Sequence, residues 1–458
     1  MEVELSAEVM GATLVGGIKP AGNIRGVVID SRKAEPGALF AALPGEHTDG
    51  HDWVDAAFRA GAVAALVTRE LPGNLHPLLV VPDTQDALWT LAAWWRVQRD
   101  PQVVAITGSV GKTSVKEMVA AICAKTASTL ATTGNYNNEL GVPLTLLRLE
   151  PAHQFAVIEI GMRGAGQITP LVRVARPNVA VITNIGISHI ELLGSQEAIA
   201  RAKAEVFSTL TDAGTAVIPR DTPFYDLLLS LVPREAKFIT FSGNGDNRAD
   251  VVLAGGGDAL IVRGERFELA PQAVGAHVAT NAACAVASAL ALGLDIRQAV
   301  QAVNEWQGAE GRMHIRRVAQ HDITVLDDCY NAGKESMLSA LATLKAWRGA
   351  VRRVAVLGDM RELGPFTAEA HRSVGAAVKG ADVELLFVVG EFSGYTVEGA
   401  RLAGYEGAIL EFDAAADAVD QVGAQLQQGD VVLVKGSRAV GLEVIVEAIA
   451  GQRSTYHG

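Results

Sequence analysis

Val103-Val-Ala-Ile-Thr-Gly-Ser-Val-Gly-Lys-Thr-Ser114 is the stretch that decides the fold. Its apolar, β-branched start reads as a buried strand, and the glycines with Lys-Thr read as a turn opening a helix from Thr113. That order has a physical reason. Glycines let backbone N–H groups converge on phosphate oxygens, and a helix N-terminus adds partial positive charge. Lys112 supplies a full charge for the β and γ phosphates, and Thr113 or Ser114 offers a hydroxyl to Mg²⁺. The turn, Gly108, Ser109, Val110 and Gly111, is shorter than the usual phosphate loop. It implies a nucleoside triphosphate but leaves kinase, switch and ligase open.

Working outward, further apolar strands are predicted at Phe155–Ile160 and Val179–Thr183, alternating with helices. A mostly parallel, doubly wound α/β sheet follows. This central unit is expected over residues 84–312, opening with a helix at Thr84–Arg99 that carries Trp89, Trp94 and Trp95. Ahead of it, residues 1–83 read as a small α/β unit. It has apolar runs at Gly26–Ile29 and Ala62–Val67 and an amphipathic helix at His51–Ala60. Residues 313–458 repeat the alternation, with strands at Ile323–Leu326, Val354–Leu357, Leu385–Val389 and Val431–Val434. Helical patterns cover Thr367–Val378 and Ala414–Gln427. This third unit reads as a Rossmann-like α/β sheet. It lacks GxGxxG after its first strand, so no nicotinamide or flavin is expected.

A length of 458 residues suits several domains, and 49% hydrophobic with 20% charged residues is a globular balance. The net charge of −12 and the lack of any Lys/Arg run argue against a nucleic-acid partner and for small molecules. Cys123, Cys284 and Cys329 are too far apart for a disulfide framework or a zinc site to follow from their spacing. Reduced thiols, and an acidic Met1-Glu-Val-Glu-Leu5 start unlike a signal peptide, point to a cytoplasmic protein. Apolar stretches are broken before bilayer length, and Val278–Leu294 reads as a buried helix, so no membrane span is expected.

Ligands of open α/β sheets gather at the carboxyl ends of strands. Glu159 closes one strand, where a lone carboxylate is costly unless paired or metal-bound. His189 follows another, although Mg²⁺ prefers oxygen ligands. Lys203, in a helix expected at Gln196–Thr209, reads by itself as an exposed lysine. Asn281 has an amide able to read adenine or to bond a turn. Arg312 lies at a unit junction, where a cation can neutralise a transferring phosphoryl group. Asp327 and Asp328 end the first strand of the third unit, with Asn331 close behind, and suit ribose hydroxyls, a metal or a helix cap. Lys435-Gly-Ser-Arg438 follows the last strong strand with donors for an anionic group.

Together these residues resemble the Mur ligase family, the amide-forming ligases of peptidoglycan precursor synthesis. The likeness runs over nearly the whole chain. It rests on Thr107–Glu117, Gly134-Asn-Tyr-Asn-Asn-Glu-Leu-Gly-Val-Pro143, Asp327-Asp-Cys-Tyr-Asn-Ala332 and Leu357-Gly-Asp-Met-Arg-Glu-Leu-Gly364. It is nearest the branch that joins D-alanyl-D-alanine to UDP-N-acetylmuramoyl-tripeptide. The resemblance implies ATP and Mg²⁺ at Lys112 and Thr113, with Glu159, His189 and a CO₂-carbamylated Lys203 at the metal. It implies nucleotide contacts from Asn281, Arg312 and Asp328. It places the UDP-sugar end at Asp30-Ser31-Arg32 and at the Gly45–His51 loop with Thr48. Asn138, Asn331, Lys435 and Ser437 become substrate contacts, and a monomer is expected. The implied reaction makes an acyl phosphate from the peptide carboxylate and ATP; the dipeptide amine then attacks it. Closure of the third domain over the second would exclude water and align the amine, with Arg312 placed to sense it.

One departure stands out. Gly333-Lys334 replaces the family's Asn-Pro, and glycine is expected to loosen that loop. The alternatives are another ligase of the same fold, either the one adding the third peptide residue or a folylpolyglutamate synthase, a P-loop NTPase switch, and a non-catalytic binding protein. The third-residue ligase would carry Asp-Asn-Pro-Arg, which this sequence lacks.

Overall fold

The computed structural model describes residues 1–18, 22–45, 48–188, 190–271, 276–308, 311–318 and 322–451. Among them the strands form three sheets. The first contains β1 (Thr13–Val15), β2 (Gly26–Val28), β3 (Ala38–Ala41), β4 (Ala64–Val67) and β5 (Leu78–Val80), in the order β1-β5-β4-β3-β2. Only β1 runs antiparallel.

The second sheet carries the phosphate loop. Its strands are β6 (Gln102–Thr107), β7 (Thr129–Ala131), β8 (Phe155–Glu159), β9 (Val179–Ile182), β10 (Thr215–Pro219), β11 (Lys237–Ser242), β12 (Val251–Leu253), β13 (Ala259–Val262) and β14 (Glu265–Glu268). The order is β14-β13-β12-β11-β10-β9-β6-β8-β7, parallel from β7 to β12. After β6 the chain builds β7 and β8 on one side, then β9 on the other. The loop after β6 therefore opens at the topological switch point, where a ligand crevice forms.

Strand β6 shows why the apolar run is continuous. Val103 and Ala105 face one core, and Val104 and Ile106 face the other. The first core continues through Leu88 and Leu91 of the helix Thr84–Arg99 into Leu39, Leu66 and Leu79 of the first sheet. The Asp83 carboxylate caps that helix by accepting the Asp86 N–H at 2.9 Å. Two indoles tie the helix to the central unit: Trp89 Nε1 donates to the Glu139 carbonyl (2.6 Å) and Trp95 Nε1 to the Leu149 carbonyl (2.9 Å).

The third sheet contains β15 (His314–Val318), β16 (Ile323–Asp328), β17 (Arg352–Gly358), β18 (Leu385–Val389), β19 (Ala408–Phe412) and β20 (Asp430–Lys435), in the order β15-β16-β20-β17-β18-β19. The sequence reading placed the first strand of this unit, residues 313–458, at Ile323. The structure adds β15 ahead of it, antiparallel to β16. The miss has a cause: β15, His-Ile-Arg-Arg-Val, is an edge strand with no fully buried residue and little apolar signal. Among the described residues no helix is long and apolar enough to cross a membrane.

Arg96 is 6% exposed, and its guanidinium donates to the carbonyls of Ala175 (3.0 Å) and Arg176 (3.0 Å) where the helix Ile168–Ala175 ends. Arg96→Ala strands those carbonyls in a dry interface. It is expected to lower unfolding free energy by about 2–4 kcal/mol, read from urea midpoints at unchanged slope.

Candidate active site

The phosphate loop is short, and other segments hold it. Gly108 (φ 155°) packs on Thr183, so that any Cβ would strike the Thr183 hydroxyl. That hydroxyl donates to the Val110 carbonyl at 2.6 Å. Asn184 Oδ1 accepts the N–H groups of Ser109 (3.1 Å) and Val110 (3.0 Å). Gly111 (φ 80°) lies against the Asn281 side-chain amide, which is 8% exposed. Asn281 thus backs the loop from the helix Ala276–Ala291.

Lys112 begins the helix Lys112–Ala124, and its ammonium donates to the Gly108 (2.8 Å) and Ser109 (3.4 Å) carbonyls. Burial pushes its pKa down; Glu159 opposes that, and Arg312 adds to it. Thr113, rather than its buried neighbour Ser114, turns its hydroxyl to Glu159 Oε2 at 2.8 Å. Glu159 is 2% exposed at the end of β8. Its other oxygen accepts Asn137 Nδ2 at 2.8 Å, and its N–H goes to Thr132 Oγ1 at 3.0 Å.

Lys203 is buried, against the reading of an exposed lysine. It follows Ile199 by four positions and precedes Val206 by three, on the inward face of the helix Gln196–Ala204 and the turn after it. No described carboxylate pairs with it, and burial first, then the Lys112 charge, press its pKa well below the ordinary lysine value. His189 lies outside the described residues.

The donor set suits a hard cation. The Thr113 hydroxyl and the Glu159 carboxylate are oxygen ligands in contact, and among the described residues the hydrogen bonds to that buried carboxylate come from neutral groups. Among the described residues no group of three or more His, Cys, Asp or Glu could enclose a metal, so most ligands would be phosphate and water.

The third unit contributes the facing wall. Register places Asp328 of β16 beside Lys435 of β20, and Lys435 beside Leu357 of β17. Lys435 Nζ meets Asp328 Oδ2 at 2.8 Å and the Asn331 carbonyl at 2.8 Å. Asp328 Oδ1 accepts the Met313 N–H at 3.1 Å. Ser437 Oγ accepts the Arg361 N–H (3.0 Å), joining the Leu357–Gly364 stretch to the Lys435–Arg438 stretch. Three contacts bring this wall to the central unit. Ser339 Oγ bonds His277 Nδ1 (3.0 Å), Glu335 stands near Gly186, and Gly364 packs on the Glu191 carboxylate.

The other sequence candidates lie elsewhere. Ser31 is buried, and Arg32 is exposed and doubly bonded to Asp30 (3.0 and 2.9 Å), in the first unit. Thr48 is exposed, and its carbonyl accepts the Gly45 N–H at 3.0 Å. Asn138 Oδ1 accepts the N–H of Gly141, the first residue of the helix Gly141–Leu146, at 2.9 Å. Its neighbour Asn137 is the one that reaches Glu159. Sequence reasoning missed Asn137, Thr183 and Asn184. The polar residues just after strand β9 were a usable signal for the last two.

Gly333 does not loosen its loop. Its backbone is extended (φ −145°, ψ 160°) at the N-cap of the helix Lys334–Ala346, and Ser336 Oγ accepts its N–H at 3.1 Å. Any residue can adopt that conformation, and Lys334 occupies the first helical position, where proline is well tolerated.

A phosphate loop beside a buried carboxylate, faced by a Rossmann-like wall, defines a nucleotide-dependent ligase of three domains. Sequence profiles agree: the Mur ligase family catalytic domain matches residues 23–93, the Mur ligase middle domain 106–289, and the Mur ligase glutamate ligase domain 311–438. The chain belongs to the Mur ligase family. Within it the likeness is to the ligases named MurF. The UDP-N-acetylmuramoyl-tripeptide–D-alanyl-D-alanine ligase of Synechocystis sp. is 38% identical over 436 residues, 94% of this chain and 93% of that protein. A crystal structure of MurF from Acinetobacter baumannii superposes with TM-score 0.87 at 31% identity over 98% of both chains. MurF from Thermotoga maritima in complex with ADP does so with TM-score 0.79 at 27% identity, over 94% of this chain and 98% of that one.

Two outcomes follow. Gly333→Asn with Lys334→Pro should raise unfolding free energy by about 1 kcal/mol in urea titrations, through a better cap and a stiffer unfolded chain. His371 is 1% exposed, and its Nε2 accepts the Met360 N–H at 3.0 Å, which needs the neutral ring. Burial lowers its pKa. Below the ordinary histidine value the unfolded chain binds a proton that the native ring refuses, so stability falls as pH drops. The slope is at most about 1.4 kcal/mol per pH unit. His371→Gln should flatten that part of the stability–pH curve.

Proposed function

We propose that this chain joins D-alanyl-D-alanine to UDP-N-acetylmuramoyl-tripeptide, consuming ATP and giving ADP and phosphate. The carrying observation is the Thr113–Glu159 pair at the mouth of the phosphate loop, with Lys203 buried nearby, in a chain matched end to end by ligases of that name. The alternatives, another ligase of the same fold or a non-ligase P-loop NTPase, are not favoured by those likenesses.

The peptide carboxylate attacks the γ-phosphate, and the resulting acyl phosphate has a leaving group that a free carboxylate lacks. Lys112 and the N–H groups at the start of its helix hold the β and γ phosphates as charge shifts between them. Thr113 and Glu159 would hold Mg²⁺, which would supply further charge neutralisation there. Asn137 and Thr132 orient Glu159, while Asn281 and Asp328 serve the nucleotide and Arg312 the phosphoryl group. A neutral lysine is the form that attacks CO₂, so the depressed pKa of Lys203 supports its carbamylation. The amine nitrogen bonds the CO₂ carbon and releases a proton, leaving an anion for the metal side, where His189 also belongs. Residues 1–83, with Ser31, Arg32 and Thr48, receive the UDP-sugar end. Residues 84–312 bind ATP. Residues 313–458 take the dipeptide, with Asn331, Lys435 and Ser437 on that side and Asn138 toward the peptide. The protein works as a cytoplasmic monomer.

Incubation with ATP, Mg²⁺, UDP-N-acetylmuramoyl-tripeptide and D-alanyl-D-alanine should give the pentapeptide product by mass spectrometry. No product with the dipeptide, but product with another amino acid, overturns the assignment. Lys203→Ala should lose roughly 10–100-fold or more of the rate and regain part of it with added short carboxylates. No regain sinks the carbamate.

A further inference from the structure

Two cations stand over the ring of Tyr330. The Arg312 guanidinium stands 4.2 Å from its ring centroid and the Arg438 guanidinium 5.2 Å from it. Neither arginine has an ion pair among the described residues. Guanidinium groups stack on aromatic faces through dispersion and the ring quadrupole, which keeps them planar and oriented without neutralising them. An oriented but unneutralised guanidinium is suited to an anion that comes and goes.

The backbone around the ring belongs to the third unit on both sides of Arg312. The Tyr330 N–H donates to the Gly311 carbonyl at 3.0 Å. Gly311 (φ 66°) is pressed on Tyr330 so closely that a Cβ would lie 3.2 Å from the Tyr330 Cβ. On the other side the Met313 N–H goes to Asp328 Oδ1 at 3.1 Å, and the Met313 side chain, 1% exposed, sits in the third unit's core. Arg312 is therefore anchored to the third unit although the sequence places it at the end of the second. Its charge nevertheless bears on Lys112 of the phosphate loop, which belongs to the central unit.

We infer that Tyr330 is a positioning residue: its ring, over which Arg438 also stands, holds Arg312 for the nucleotide phosphates, so that the third unit delivers this cation. The inference rests on the ligase reading but is tested apart from it by nucleotide binding. The full-length protein, with Tyr330→Leu, Tyr330→Phe and Arg438→Ala variants, is titrated with ADP by calorimetry and assayed for amide formation. Tyr330→Leu should weaken ADP binding and raise the KM for ATP about tenfold, the size expected for a partly desolvated stack, with an unchanged melting temperature. Tyr330→Phe keeps the ring and should restore both values to within twofold, and Arg438→Ala should fall between. The inference is overturned if Tyr330→Leu binds ADP like the parent, if it loses binding only together with thermal stability, or if Tyr330→Phe is as impaired as Tyr330→Leu. If the parent protein binds ADP but forms no amide, the ligase reading fails and the ADP comparison still decides the role of Tyr330.

Discussion

Glu159 carries a carboxylate inside the central sheet, and the rest of the site is arranged around that charge. A lone buried carboxylate costs several kcal/mol unless hydrogen bonds and a nearby cation compensate. The chain meets this from three directions. The Thr113 hydroxyl comes from the first turn of the helix after the loop, and Asn137 from the segment after β7. The Lys112 charge stands close enough to oppose its own deprotonation on account of Glu159. Hydrogen bonds from neutral donors orient the carboxylate without quenching it, which leaves it able to serve a metal ion.

The same crevice gathers basic side chains that no described carboxylate hydrogen-bonds. Among the described residues Lys112 donates to carbonyls, Lys203 is buried without an acid partner, and Arg312 stands over a ring. Lysines in such surroundings lose basicity, and both Lys112 and Lys203 do. That arrangement is costly for the protein by itself and favourable once a triphosphate enters. The third unit holds both kinds of charge: Lys435 is paired with Asp328 and fixes the end of β16 against β20, while Arg312 and Arg438 stand over the Tyr330 ring without an ion pair among the described residues.

Much of the fold was legible in local pattern. The helix Thr84–Arg99 and the strand Leu385–Val389 have the predicted ends, because a caps-and-periodicity signal marks the first and an unbroken apolar run the second. The reading named no strand for β7 or for β10 to β14 of the central sheet: β7, β12 and β13 are three or four residues long and β14 has no fully buried residue, whereas β10, buried throughout, and β11 carried an apolar signal that was passed over. Lys203 was read as exposed because residue type was weighed above its helical spacing from Ile199 and Val206. Gly333 was read as a loosened loop because glycine permits unusual backbone, whereas the structure uses an ordinary extended conformation there.

By itself the sequence determined the phosphate loop, the alternation of strands and helices, and the kind of chemistry, since backbone reach, side-chain period and charge are local properties. Only the tertiary structure decided which side chains share one space. Thr183 and Asn184 come from the end of β9 to hold a loop more than seventy residues earlier in the chain. Asn137, and not Asn138, turns toward Glu159. Arg312 is fixed to the unit after it. Such choices depend on strand order and on packing across the crevice, and neither is encoded within any single stretch of chain.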